Sequence, residues 1–139
     1  MKVAFATQDM KRVDAHFGGC RQLAIYDVSI DSARFLEAVQ FDQVSAEDGD
    51  HGGPDADDRL LPKINAVIGC SLLFVLAIGG PAAARVVQNK VHPIKLRDPE
   101  AISDVIERIQ TMLKGNPPPW LRKVLQEETR SMDFLEEDA

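Results

Sequence analysis

The sequence predicts an α/β protein in which a mixed five-stranded sheet is flanked by helices, in the order βββαβαβα. Two observations carry this prediction. The N-terminal part holds three strand-like segments, and a tight turn at Asp31 and Ser32 joins the last two, which is typical of an antiparallel hairpin. Helix-like and strand-like segments then alternate, which favours parallel strands joined by right-handed crossovers. A length of 139 residues, with 45% hydrophobic and 27% charged residues, suits one globular domain.

Each predicted element has a local signature. Strands are short apolar or alternating segments bounded by polar residues or glycine, and helices carry apolar side chains three and four positions apart. In the third strand, Phe35, Val39 and Phe41 are expected to alternate inward. The last helix is predicted to have Asp98 as its N-cap and Pro99 in its first turn. The predicted elements are strands at 2–6, 21–29 and 33–41, a helix from 57, a strand at 72–78, a helix at 81–89, a strand at 91–96 and a helix that ends at 114.

The chain is predicted to form one packed domain over residues 1–115. Residues 116–139 are predicted as a proline-rich spacer, a short amphipathic segment that begins at Trp120, and an acidic tail. Residues 47–58 combine carboxylates with glycines and cannot bury apolar area, so they are predicted as a mobile loop.

Charge and cysteine content exclude several classes of protein. Sixteen Lys and Arg against 22 Asp and Glu give a formal charge of −6, which argues against a nucleic-acid binder that relies on phosphate neutralisation. Two cysteines are too few for a disulfide framework, and the N-terminus lacks the long apolar run of an export signal, so a cytoplasmic location is expected. The uncharged segment 66–84 is interrupted by Gly79-Gly80-Pro81, so we do not interpret it as a membrane span.

The segment from Asp14 to Cys20 is the first candidate site. It carries His16 and Cys20 on a glycine-bearing loop that leads into a strand, and imidazole and thiolate are ligands that iron and iron–sulfur clusters take. Two potential ligands do not enclose a metal ion, and no CxxC pair completes a closed site. The residues alone therefore leave a second interpretation open, in which His16 belongs to a turn and Cys20 is a small core residue.

The turn from Ile78 to Ala84 is the second candidate. Gly79 and Gly80 lie between a strand and a helix, where free N–H groups and the positive end of the helix dipole favour an anion. The same glycines are also explained if they only turn the chain. The segment lacks the features of a P-loop and of a dinucleotide fingerprint, so nucleotide binding is disfavoured.

Catalytic signatures are lacking in the sequence. No serine lies in a GxSxG elbow, and no HExxH segment is present. The predicted order of elements is similar to the ribonuclease H-like architecture, whose nucleases hold two metal ions with carboxylates, one of them on the first strand. The first strand here, Val3 to Ala6, carries no acid, so two-metal catalysis is not expected.

Several motifs together resemble a known family. In this combination the chain resembles the NifX-type carriers of nitrogenase iron-molybdenum cofactor biosynthesis, over about residues 1–114. The tail with Pro117 to Leu121 resembles the C-terminal extension of the same subgroup. The motifs that carry the resemblance are Val3 to Thr7, Val13 to Gly18, Ala24 to Asp27, Gly79 to Ala83 and His92 to Lys95.

The resemblance implies a ribonuclease H-like domain that is a carrier and not an enzyme. Such a protein binds an iron–sulfur precursor of the cofactor transiently and passes it between nitrogenase assembly proteins. The histidine of the D-x-H-F-G loop is the favoured cluster contact, and it corresponds to His16. Cys20 ranks second to His16 as a candidate ligand, because similar proteins can carry serine after the H-F-G segment, so that a thiolate contact at this position is either particular to this protein or absent. Because the cluster must stay accessible, we expect a monomer or weak dimer. Because the cluster is anionic, residues around the His16 segment and at the start of a helix are expected to help to bind it. The further candidate cofactor-binding residues are Arg12, Phe17, Gly18, Gly19, Arg21, Gly79 and Gly80.

A different class of function stays open beside the carrier. In this alternative the protein is a metal-free interaction module that docks on nitrogenase assembly partners through the tail at Trp120 and the acidic loop. Trp120 is equally explained as a cap that folds back onto the domain. His92 is interpreted as a packing or surface residue. Neither nucleic acid nor a membrane is an expected partner.

Overall fold

The computed structural model describes residues 1–41 and 55–127, without the side chains of 55–59. Most of the predicted mobile loop at 47–58, including His51, lies outside the described residues, as does the acidic tail. Residues 55–58 are an exception. They already belong to a helix, so the mobile-loop prediction is wrong for them, and the helix begins two residues before the predicted start at 57.

The structure is α/β, and all five predicted strands and all three predicted helices are present. Two additional two-residue strands and a further helix at 119–127 complete the described part. Within that part, no helix is long and apolar enough to cross a membrane. The strands are β1 (Lys2–Thr7), β2 (Arg12–Val13), β3 (Gln22–Val28), β4 (Ala33–Gln40), β5 (Leu72–Val75), β6 (His92–Lys95) and β7 (Glu100–Ala101). The helices are α1 (Asp55–Val67), α2 (Gly80–Gln88), α3 (Ile102–Lys114) and α4 (119–127).

The main sheet is mixed and five-stranded, as predicted. Its strand order is β4-β3-β1-β5-β6. Strand β3 pairs antiparallel with β1 and β4, which confirms the predicted hairpin, and β5 pairs parallel with β1 and β6. Strands β1, β5 and β6 therefore end at the same edge of the sheet, which we call the carboxyl edge. The closer assignment to a ribonuclease H-like topology stays a prediction.

Alternation along β1 divides the core into two layers. Val3 to Thr7 are all buried, because β1 has a strand on each side and helices on both faces. Ala4 and Ala6 pack with apolar residues of α1 and α2, whereas Val3 and Phe5 pack with those of α3 and α4. The sheet is therefore covered by two helices on each face.

A β-bulge changes which residues of β4 face the core. The register shifts between Ile25 and Tyr26, so that Glu37 pairs with Ile25, Phe35 pairs with Tyr26, and Leu36 is the extra residue. Phe35 is 48% exposed and contacts the Tyr26 ring, while Leu36 packs on the opposite layer beside Val39 and Phe41. The prediction that Phe35 faces inward with Val39 and Phe41 is therefore wrong, because the extra residue Leu36 places the preceding residues of β4 on the opposite face of the sheet.

The start of α3 also differs from the prediction. The N-cap is Ala101 and not Asp98, and the helix begins at Ile102. The preceding residues form β7, which pairs antiparallel with β2, and the Ile102 N–H donates to the Lys11 carbonyl at 2.9 Å. Pairing with a distant segment therefore replaces the local capping signal at Asp98 and Pro99.

The last described helix belongs to the packed core. Leu121 is completely buried and Val124 is almost so, both in the layer that contains α3. The packing therefore continues beyond the predicted domain boundary near Gly115, because an amphipathic helix after the proline spacer buries its apolar side on the same face of the sheet.

Candidate functional site

The segment from Asp14 to Cys20, which we call the His16 loop, is held by backbone hydrogen bonds at the carboxyl edge of the sheet. Residue 16 forms a parallel bridge with Ala77, just beyond the end of β5. The Phe17 N–H donates to the Ala77 carbonyl at 2.9 Å, and the Leu76 N–H donates to the Ala15 carbonyl at 3.0 Å. Ala15 and Phe17 are buried and His16 between them is exposed, as expected for alternation in extended chain. The imidazole is therefore presented to solvent from a fixed backbone.

The chain after His16 makes a tight turn with an open surface. The Gly19 N–H donates to the His16 carbonyl at 3.2 Å, and the Cys20 N–H donates to the Phe17 carbonyl at 3.4 Å. Gly18 and Gly19 are exposed, and a Cβ added at either residue would meet nothing within 4 Å. The surface above Gly18 and Gly19, which follow His16 in the chain, is therefore open.

The turn from Ile78 to Ala84, which we call the glycine turn, lies at the same edge. Gly79 is the N-cap of α2, its carbonyl accepts the Ala83 N–H at 2.9 Å, and Gly80 and Pro81 form the first helical positions. Both glycines are exposed and have nothing within 4 Å of an added Cβ. Gly79 follows Ala77, the partner of His16, by two residues. The positive end of α2 and the imidazole therefore lie at neighbouring points of the edge where α/β proteins commonly bind ligands.

A hydrogen-bonded turn leads from β1 towards this loop. Asp9 Oδ1 accepts the N–H groups of Lys11 and Arg12 at 2.8 and 2.9 Å, and the Met10 N–H donates to the Thr7 hydroxyl at 3.0 Å. The hydrogen bonds that Asp9 accepts from these two backbone N–H groups lower the pKa of its carboxyl group to about 2. The carboxylate is therefore a structural part of the turn.

Arg12 faces carboxylates of its own loop. Its Nε is 3.3 Å from Asp9 Oδ2, and one of its terminal nitrogens is 3.9 Å from Asp14 Oδ2. Asp14 is itself fixed, because its Oδ1 accepts the Gln8 N–H at 2.8 Å. Much of the Arg12 charge is therefore compensated within the chain. Arg21 is exposed at the other end of the loop, where its carbonyl accepts the Phe41 N–H at 2.9 Å.

Cys20 does not share the surface on which His16 lies. Its side chain is 0% exposed and packs in the layer with α1 and α2. Burial raises the pKa of the Cys20 thiol to about 11, although the nearby Lys63 charge lowers it, and the thiolate is the form that ligates metals. The two candidate ligands are therefore not brought together. In residues 1–41 and 55–127, no group of three or more His, Cys, Asp and Glu side chains could hold a metal ion.

Lys63 is a residue of this site that the sequence analysis did not identify. It lies in α1 and is only 2% exposed, and its Nζ donates to the Gly18 carbonyl at 2.5 Å. The same nitrogen lies 5.7 Å from the centre of the Phe41 ring, and burial lowers the lysine pKa. A signal was available in the sequence, because Lys63 follows Leu60 by three positions and precedes Val67 by four, on the apolar side of the helix.

The second described histidine, His92, lies at the opposite end of the parallel strands. It is the first residue of β6, and its ring stacks on Trp120 of α4 with centroids 5.0 Å apart and an interplanar angle of 5°. Burial lowers the pKa of His92, and the Lys123 charge acts in the same direction. Trp120 therefore folds back onto the domain, which agrees with the cap interpretation and not with an exposed anchor.

The chain is similar to known proteins over most of its length. Protein NifX of Sinorhizobium fredii is 58% identical over 125 residues, which cover 90% of this chain and 78% of that protein. Protein NifX of Rhodobacter capsulatus is 48% identical over 142 aligned positions, which cover 100% of this chain and 88% of that protein. The crystal structure of PH0822 has the same fold, with a TM-score of 0.59 at 21% identity over 80% of this chain and 90% of that chain.

A family model supports the same grouping. The model described as "Dinitrogenase iron-molybdenum cofactor" matches residues 1–112, which include the His16 loop, the glycine turn and most of α3. The match and the extent of identity to the two relatives lead to one conclusion. The protein belongs to the dinitrogenase iron-molybdenum cofactor family.

Proposed function

We propose that this protein binds an iron–sulfur precursor of the nitrogenase iron-molybdenum cofactor and carries it between the proteins that assemble the cofactor. Membership of the family supports the coarser part of the proposal, a role in iron-molybdenum cofactor biosynthesis. The observation that supports the finer part is the exposed imidazole of His16, held on a hydrogen-bonded loop at the carboxyl edge of the sheet.

The small number of accessible ligands suits a carrier. A structural metal site is closed by about four protein ligands and holds its metal permanently. Here one exposed imidazole stands beside two glycines with open space around them. A cluster bound through one such contact keeps its remaining positions accessible to the next protein, so it is readily transferred.

The surroundings of His16 suit an anionic cargo. The N-terminus of α2 supplies N–H groups that have no partner within the helix, together with the positive end of the helix dipole. Arg12 and Arg21 are both exposed near the ends of the loop, and Asp9 and Asp14 compensate much of the Arg12 charge. We therefore propose that His16 binds the cluster, and that Gly79 and Gly80 at the N-terminus of α2 contribute to the positive field around it.

Cys20 has no part in this binding step. A completely buried thiol with a raised pKa has neither the access nor the charge of a cluster ligand. We also propose that the protein performs no chemistry on the cluster. Its task is then binding, protection and release.

An anaerobic titration tests the proposal. The purified protein, His16→Ala and His92→Ala are each mixed with the isolated iron–sulfur precursor, and iron is measured in the protein peak after gel filtration. His92→Ala is the matched control, because it removes an imidazole from the opposite end of the parallel strands. We expect iron to co-elute with the wild type and with His92→Ala, and an affinity in His16→Ala reduced by more than the roughly 10–100-fold that an outer-shell change costs.

The other outcomes are equally informative. Iron retained by all three proteins would support the carrier but move the binding site away from His16. Iron bound by none of them would overturn the carrier proposal and leave the metal-free interaction module as the better account.

A further inference from the structure

Lys63 places a positive charge inside the domain, directly beneath the His16 loop. Lysine is almost never fully buried without a partner, because removing an ammonium group from water is costly. Here the ammonium donates to the Gly18 carbonyl at 2.5 Å and lies 5.7 Å from the centre of the Phe41 ring. A buried cation that contacts one particular carbonyl of the candidate site calls for a role that ordinary core packing does not require.

We propose that Lys63 is a positioning residue of the proposed cluster-binding site around His16, which we call the cargo site. Its buried ammonium group binds the Gly18 carbonyl and thereby keeps residues 17–20, the turn after His16, in the conformation that binds the cluster. The effect on the turn is independent of what the protein carries. The effect on cargo affinity rests on the proposed carrier function.

The turn needs such support because its own contacts are weak. Its two backbone hydrogen bonds, from Gly19 to His16 and from Cys20 to Phe17, are long at 3.2 and 3.4 Å. Gly18 and Gly19 have no side chains to pack, and open space lies on their outer side. The bond from Lys63 is charge-assisted and spans 45 positions of the sequence, so it ties the turn to helix α1.

The same contact has a second consequence for an anionic cargo. A charge that is buried beneath the turn is screened by dissolved salt far less than the exposed guanidinium groups of Arg12 and Arg21. We therefore expect the contribution of Lys63 to cargo affinity to persist at an ionic strength at which the contributions of surface arginines are largely lost.

Hydrogen exchange of the cargo-free protein tests the positioning role. Lys63→Met keeps an unbranched side chain that is one atom shorter and removes the charge and donors, Lys63→Arg keeps a cation, and Ile64→Ala is the matched control. Ile64 is the next residue of α1 and is also buried, so its truncation weakens the packing of the same helix while the Lys63 ammonium group stays in the chain. The measured quantity is the exchange rate of the Gly19 and Cys20 amides relative to the amides of β1.

We expect this ratio to rise about tenfold or more in Lys63→Met, the change that loss of one charge-assisted hydrogen bond produces. We expect it to be partly restored in Lys63→Arg and unchanged in Ile64→Ala. An unchanged ratio in Lys63→Met, or an equal rise in Ile64→Ala, would overturn the positioning role.

A measurement on the wild type decides the matter if Lys63→Met does not fold. In the nitrogen-labelled protein, a slowly exchanging Lys63 ammonium signal in contact with the Gly18 α-protons would support the proposal, and absence of that signal would overturn it. Affinity for the isolated iron–sulfur precursor is measured in parallel, with an expected loss of about tenfold in Lys63→Met that persists at high salt. If the wild type binds no iron, the carrier function fails, while the exchange ratio still decides the role of Lys63.

Discussion

The two described histidines lie at opposite ends of the same parallel strands and differ in their exposure and in the contacts of their rings. His16 lies at the carboxyl edge, exposed, on backbone that is hydrogen-bonded to the chain beyond β5. His92 lies at the amino end of β6, half-buried, with its ring stacked on Trp120. The comparison shows that an imidazole is available for ligation when the backbone holds it, and is unavailable when its ring is part of the packing.

The largest expected effect on stability concerns the His92 end. Leu121→Ala removes a completely buried side chain that anchors α4 against the sheet, and we expect the free energy of unfolding to fall by about 2–5 kcal/mol. Urea denaturation measures the change. Gln126→Ala, an exposed position of the same helix, is the control, with an expected change within about 0.5 kcal/mol. If Leu121→Ala lowered the free energy of unfolding by less than about 0.5 kcal/mol, α4 would not be part of the cooperative fold.

A smaller effect on the free energy of unfolding is expected from the stacked rings of His92 and Trp120. The pKa of His92 is lowered from its ordinary value of 6.5, so the unfolded chain takes up a proton at a higher pH than the folded protein does. The free energy of unfolding should therefore decrease as the pH falls below about 6.5, until the folded protein is protonated as well. Denaturation at a series of pH values measures this slope.

Trp120→Ala sharpens this prediction. Removal of the indole exposes the His92 ring, so the pKa of His92 should rise towards its ordinary value and the histidine contribution to the pH slope should shrink. The stacking itself is worth roughly 1 kcal/mol at any pH above that range. NMR titration of the His92 ring measures the pKa, and an unchanged value would contradict burial by Trp120 as its cause.

The smallest expected effect on stability concerns His16. Because its side chain is exposed and its loop is held through the backbone, His16→Ala should change the free energy of unfolding by no more than about 0.5 kcal/mol. The same urea denaturation measures it. A loss comparable with that of Leu121→Ala would mean that His16 is a structural residue, and the comparison between the two histidines would break down.

Elements with strong local patterns were predictable from the sequence. The apolar run of β1 is the buried central strand, and the segments on either side of Asp31 and Ser32 form the predicted hairpin. Local signals failed where distant segments compete. Asp98 and Pro99 have the sequence of a helix start, yet the pairing of β2 with β7 moves the start of α3 to Ile102. The bulge in β4 likewise has no signature in the alternation that it interrupts.

The candidate site was predictable in its residue types and not in its arrangement. The sequence indicates His16 and the glycine turn, because an imidazole among glycines and a strand–glycine–helix junction are local patterns. It does not distinguish a buried Cys20 from an exposed one, since a cysteine suits both a core position and a ligand position. Burial in the layer with α1 shows that Cys20 occupies a core position, and it leaves His16 as the accessible residue of the pair.

The sequence by itself determined the fold class and the antiparallel hairpin, because these depend on hydrophobic period and turn residues within short segments, and its resemblance to a known family selected His16 as the first candidate ligand. Only the tertiary structure decided that Ala77 supports His16, that Lys63 holds Gly18, and that Trp120 covers His92. Each of these contacts joins residues that are far apart in the chain. Their energies exist only once the sheet has brought the segments together, so no local pattern encodes them.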